Sequence, residues 1–188
     1  MDKHDKTRYV FAQAIKDLIK MTSLDKITVT DIVIRSGMTR QTFYRHFKDK
    51  YDLVNWYFEK LVLKSFRKMG NGCSLYEALY LKFEFIKNEH SFFKEAFKSN
   101  DYNSLVNYDF NCIYDFYRTI FENKLGHQID KEFDFLLKMY CHGSIDMTVE
   151  WILNDMPSDI DEIVKLLIEA LPKRMKQNIL DIYGAIKY

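Results

Sequence analysis

The stretch Thr28-Val-Thr-Asp-Ile-Val-Ile-Arg-Ser-Gly-Met-Thr-Arg-Gln-Thr-Phe-Tyr-Arg-His-Phe-Lys-Asp-Lys50 decides the fold. Thr28 and Asp31 stand three apart, a capping-box spacing that opens a helix. Ile32 and Val33 follow on the side that faces inward. Gly37 ends the helix, because the left-handed conformation is cheapest at glycine. Met38 plugs the turn and Thr39 caps a second helix. Phe43 and Phe47, four apart, share one face of it and anchor it. Arg40, Gln41, Tyr44 and Arg45 are left to point elsewhere. Two short helices about a tight turn, the second basic and aromatic, have the build of a helix-turn-helix reader of DNA.

The side chains suit that use. Arg reads guanine through two acceptors and Gln can read adenine, while Tyr44 can meet a phosphate or a thymine methyl. Thr28, Thr30, Thr39 and Thr42 offer hydroxyls, and the helix N-termini offer amides, for phosphate contacts. Lys48 and Lys50 flank the next helix start and add charge. His46 is expected to face backbone or lie near the core. A plain helical hairpin with a solvated basic face would share the charge and the aromatics. It would not require the order cap, helix, glycine turn, cap, short aromatic helix and Lys-led helix.

Working outward, periodicity predicts an all-α chain of about nine helices. A first helix runs from about Lys6 to Met21, with Val10, Phe11, Ala14, Ile15, Leu18 and Ile19 as its apolar face. Asp49 opens a long helix to about Lys68, with Leu53, Val54, Tyr57, Leu61 and Phe66 inward. Gly70-Asn-Gly72 marks its end, and Ser74 with Glu77 makes a capping box for the next helix, to about Asn88. A short helix from His90 to Lys98 precedes the turn at 99–103. A helix of about two dozen residues ends near Gly126, and Asp130 opens a long one to about Asn154. Ser158 and Asp161 cap a last long helix from Ile160 to about Arg174, kinked or ended by Pro172. The tail 176–188 forms a short helix or frays. This divides the chain into a reading head, 1–50, and a helical body, 51–188.

Composition agrees. The 188 residues are 47% hydrophobic and 16% aromatic, with only 2 Pro and 6 Gly, which favours long helices around a real core. Residues 1–50 carry 11 Lys and Arg against 6 Asp and Glu, net +5, and the remainder 17 against 21, net −4. A basic head on a mildly acidic body suggests that only the head meets a polyanion. Cys73, Cys112 and Cys141 have neither metal-ligand nor disulfide spacing and read as reduced cytosolic thiols. No signal peptide or run long enough to span a membrane is visible, so a cytoplasmic location is expected. There is no phosphate loop, nucleophile elbow, Cys-pair motif or His-Glu-x-x-His, so neither an enzyme nor a cofactor is expected. The acids near 130–134 and 155–162 sit at helix starts, where the dipole favours them.

The run from Ile27 through Thr42-Phe-Tyr-Arg-His-Phe-Lys-Asp-Lys50 resembles the N-terminal signature of the TetR family of bacterial transcriptional regulators, over roughly the first 60 residues. Val33 and Ser36 stand where small Ala is usual, which alters packing only. The resemblance implies an all-helical homodimer with a three-helix head and a ligand-responsive body. By position, Thr28, Val29 and Thr30 fall at the backbone-contacting start of the second helix. Thr39, Arg40, Gln41, Thr42, Tyr44, Arg45 and His46 fall on the recognition helix, and Lys50 at the phosphate-contacting start of the fourth. The implied partners are an operator duplex, a second copy, and an effector or co-regulator of unknown identity.

The body says less. Gly143 deep in a long helix costs about 1 kcal/mol against Ala, which suggests a close helix approach near Trp151. This Gly-to-Trp-Ile pattern is similar to that of dihydroxyacetone kinase regulators of the same family, where the partner would be a protein that senses dihydroxyacetone. Phe97, Tyr117, Tyr140, His142 and Asp146 are candidate liners of an effector pocket. Ile145, Val149, Ile152, Ile163, Leu166 and Leu167 are candidates for a four-helix dimer interface, or equally for the core of one chain. The rival reading is a helical protein-interaction adaptor without specific DNA binding.

Overall fold

The structure, a computed structural model, describes residues 3–66, 74–101 and 104–183. Among these residues there are ten α-helices, a 3-10 turn at Leu24–Lys26 and no strand. Lys3–Ile19 (α1), Val29–Ser36 (α2), Arg40–His46 (α3) and Lys50–Phe66 (α4) build one end. Leu75–Asn88 (α5), His90–Lys98 (α6), Leu105–Leu125 (α7), Lys131–Leu153 (α8), Ile160–Glu169 (α9) and Lys173–Tyr183 (α10) build the other. The expected boundary at Gly70-Asn-Gly72, like Cys73, lies outside the described residues.

The tenth helix comes from Pro172. A proline cannot donate the backbone bond that continuing α9 requires. The helix therefore stops at Glu169 instead of reaching Arg174, and the Pro172 carbonyl accepts from the Lys176 N–H to open α10. The start of α9 also differs from expectation. Asp159, not Ser158, is its N-cap, and the Ser158 carbonyl instead accepts the Trp151 indole N–H at 3.0 Å. Other local signals hold: Ser74 and Glu77 close a capping box, Asp130 accepts from the Phe133 N–H at 2.8 Å, and Gly126 is left-handed.

α1 packs on α2 and α4, with Phe11 fully buried and edge-on to Phe43, ring centroids 5.2 Å apart. Along α1, Ala12 is buried and Val10 is exposed, because the buried arc lies one position further round than the apolar residues suggest. α4 belongs to both ends. Trp56 packs against Tyr9 and Phe47, with ring centroids 5.1 and 5.7 Å away. One residue on, Tyr57 meets Phe92, and Phe58 meets Phe93 and Phe97. Leu53, Val54 and Tyr57 are buried as expected, joined by Trp56, Phe58 and Val62, with Leu61 only partly covered. Each fully buried aromatic of this kind contributes roughly 2–3 kcal/mol.

In the body α7 and α6 pack on α8, and α5 on α9. Trp151 stands edge-on to Phe83, centroids 5.3 Å apart. Inside this core Lys82 and Asp109 form an ion pair at 3.5 Å, Asp109 being 0% exposed. One Asp109 carboxylate oxygen has no hydrogen-bond partner, and burial pushes this carboxyl up from its ordinary value against the pull of Lys82. No described helix is long and apolar enough to cross a membrane.

Candidate nucleic-acid interface

The turn between α2 and α3 is built by the residues that the sequence marks. The Thr28 hydroxyl accepts from the Asp31 N–H at 3.2 Å, and the Asp31 carboxylate accepts from both the N–H and the hydroxyl of Thr28, at 2.8 and 2.6 Å. These bonds hold the Asp31 carboxyl below its ordinary value. Gly37 has φ +66° and donates to Ile34, while the Met38 N–H reaches back to Val33. Thr39 caps α3 by accepting from the Thr42 N–H at 3.1 Å, and the two hydroxyls lie 2.9 Å apart.

α3 is two-faced. Phe43 is 0% exposed and Phe47, just past the helix, 3%, whereas Tyr44 is 57% exposed and Arg40, Gln41 and Arg45 stand in solvent. Arg40 donates to the Thr30 hydroxyl, so its guanidinium bridges the N-terminal ends of α2 and α3. A phosphate bound there would face both helix ends, which carry partial positive charge. Thr28 has its hydroxyl engaged in the cap, which leaves the backbone around Val29 and Thr30 as the donor group at the start of α2. His46 is half-buried, with its ring beside Phe11 and Phe47, as expected for a residue near the core.

Lys50, expected at the phosphate-contacting start of α4, has its ammonium on backbone carbonyls. Its ammonium donates to the carbonyls of Leu24, Asp25 and Ile27 at 2.8, 2.8 and 2.9 Å. It ties the 3-10 turn to the start of α4, and burial pushes its ammonium down from its ordinary value. Lys48 keeps an exposed side chain next to it. Arg8 was not singled out from sequence. Its guanidinium lies over Phe47 and Trp56 at 5.4 and 5.6 Å and donates to the His46 carbonyl at 3.4 Å. A cation at a helix C-terminus is favourable, but that pairing across 38 positions leaves no local pattern in the sequence. Arg35 similarly ties α2 to Asp17 of α1 at 3.1 Å.

The candidate pocket residues do not come together as a set. Tyr117 and Tyr140 meet edge-on, 6.0 Å apart, beside a gap bounded also by Leu79, Lys82 and Thr148. The space there is about 10 Å³, room for about one water. Phe97 sits elsewhere, against Phe58. His142 and Asp146 are exposed, His142 stacked on Phe110 at 4.1 Å.

The interface candidates divide as well. Ile145, Ile152, Ile163 and Leu167 are buried in the core of their own chain, Val149 is half-buried, and Leu166 is 57% exposed. The apolar side chains that α8 leaves in solvent are Phe135, Met139 and Met147. With Gly143 they recur every fourth residue, a spacing that was visible in the sequence. A side chain added at Gly143 would meet nothing within 4 Å, so the expected close approach to another helix does not occur among the described residues.

A family model described as "Transcriptional regulator C-terminal region" matches residues 74–173, more than half of the chain, and one described as "Bacterial regulatory proteins, tetR family" matches residues 13–55. The HTH-type dhaKLM operon transcriptional activator DhaS of Lactococcus lactis subsp. lactis (strain IL1403) is 26% identical over 183 residues, covering 91% of this chain and 94% of its own. The solved structure of a dihydroxyacetone kinase operon activator DhaS superposes with a TM-score of 0.60 at 22% identity, over 91% of this chain and 97% of that one. That of the fatty acid degradation regulator FadR from Bacillus halodurans gives 0.54 at 15%, over 100% and 98%. At these identities the two structures speak to the fold alone. The two family models cover the head and the body in turn, and the chain belongs to the tetR family of bacterial transcriptional regulators.

Proposed function

We propose that this regulator binds its operator as a homodimer, with α3 of each head in a major groove. The observation that carries the reading is the division of α3 into a buried aromatic face and an exposed face of Arg40, Gln41, Tyr44 and Arg45. Arg40 and Gln41 read base edges and Tyr44 a thymine methyl or a phosphate. Thr28, Val29, Thr30, Thr39 and Thr42 position the head through backbone amides and any hydroxyl hydrogen their caps leave. Two heads would meet half-sites about one helical turn apart, roughly 34–36 Å. The second copy seats on the α8 stripe of Phe135, Met139, Gly143 and Met147, with Leu166 at its side. Residues 1–50 act as the head and 51–188 as the sensing and dimerising body, working in the cytoplasm without catalysis or cofactor.

The small gap in the body supports an input that does not enter between α5, α7 and α8. A protein co-regulator is one such input. The likeness to a dhaKLM operon activator makes an operon of dihydroxyacetone phosphorylation the first target to try. Selection of bound duplexes from a random pool tests the whole reading. The expected result is a palindrome-like site, found in the genome beside genes for such a kinase. Failure to retain any duplex at low salt would overturn the regulator mechanism and favour a protein-interaction adaptor.

A further inference from the structure

A cleft of about 420 Å³ opens where α1 meets the corner between α5 and α6. That volume is in the range of small-molecule sites. Three lysines line it: Lys16 of α1, Lys20 just past the end of α1, and Lys87 of α5. The first turn of α6, beginning at His90, also faces it and receives no hydrogen bond from its capping side chain. A helix N-terminus without such a cap favours an anion. One acid, Glu89, stands in the cleft, and Asp17 lies 3.6 Å from Lys20. Counting both acids, the lysines lead by three to two.

The same place joins head to body. Lys16 of α1 pairs with Glu89 at 2.6 Å, and the Tyr57 hydroxyl of α4 donates to the same Glu89 oxygen at 2.9 Å. Burial and the Glu89 carboxylate push the Tyr57 hydroxyl up from its ordinary value, so it stays a donor. Lys16 is thus shared between a cleft open to solvent and a latch that fixes α1 against the corner between α5 and α6.

We propose that this cleft binds a small phosphate dianion, and that its occupancy draws Lys16 from Glu89 and so changes how the head is held on the body. A dianion placed among the three lysines competes directly with the Glu89 carboxylate for the Lys16 ammonium. The ligand shifts head orientation only to the extent that it binds the unlatched arrangement more tightly. The coupling half of the proposal rests on α3 being the operator contact; the binding half does not.

The test is titration of the full chain with inorganic phosphate against chloride at constant ionic strength, followed by calorimetry and by duplex binding. Saturable binding is expected, weakened at least about tenfold, or about 1.4 kcal/mol, by Lys87→Glu, and unchanged by Arg45→Ala in the reading head. Lys87 is exposed, so the variant should keep its melting temperature in phosphate-free buffer. Saturating phosphate should change operator affinity by about fivefold or more. Absence of saturable binding, or binding that Lys87→Glu leaves intact, overturns the site. An operator affinity that phosphate does not move overturns the coupling. Failure of the operator reading itself would show differently, as no duplex binding even without phosphate.

Discussion

Arg40 is the residue on which the proposed base reading can be tested most directly. In the proposed complex its position at the first turn of α3 would bring it to base edges, while its bond to Thr30 holds it between the starts of α2 and α3. Arg40→Ala should cost roughly 1–3 kcal/mol on the selected operator and relax the preference at one base pair, as measured by binding to single-base variants of that site. Uniform weakening across all duplexes would make Arg40 a phosphate contact instead. The other residue with a sharp expectation is Asp109. Asp109→Ala leaves the Lys82 charge in the core without its partner and should destabilise the chain by about 3–5 kcal/mol in urea unfolding. Replacing the pair together, Lys82→Met with Asp109→Leu, should be far less damaging. Equal losses in the single and double variants would mean that the pair contributes nothing as a pair.

At the scale of elements, α2 hangs on its cap. The folded Asp31 carboxyl lies below its ordinary value of 3.8 because Thr28 bonds to the ionised form. An unfolded chain therefore takes up the proton first. The stabilisation is fully present above the ordinary value and is lost as pH falls through the folded one. The stability gap between the wild-type chain and Asp31→Asn should be constant from neutral pH down to about 4, then shrink. Paired urea titrations would show it, and a gap that widens in acid would refute the assignment. This element was legible because the cap, the glycine turn and the aromatic anchors each act over five residues of sequence or fewer. Pro172 reads as a kink or an end, and it is an end, but the helix stops at Glu169 and not near Arg174. A proline near a helix end reads equally as a kink, a stop or a start, and the choice depends on what its carbonyl finds. Lys50 was likewise illegible: nothing local says that a lysine will reach three carbonyls more than twenty residues back.

At the scale of the whole molecule, one chain leaves an apolar ridge along α8 with a glycine at its centre. The sequence could not divide Ile145 and Ile152 from Phe135 and Met139, because an apolar residue carries no mark of whether its cover comes from its own chain or from another. Met139→Asp should leave folding intact, since the side chain is exposed, but convert the dimer to a monomer in sedimentation and abolish tight operator binding. Gly143→Leu should do the same by blocking close approach across the interface. A Met139→Asp protein that still sediments as a dimer would move the interface to another face.

The two tryptophans carry a practical consequence. Trp56 is wedged among Tyr9, Phe47 and the Arg8 guanidinium beside the recognition helix, and Trp151 stands against Phe83 deep in the body. The chain has no others. One intrinsic fluorophore therefore borders the head, on α4, and the other lies in the body. Replacing either tryptophan with phenylalanine leaves a single emitter, so that events at the head and in the body can be timed separately in one unlabelled protein.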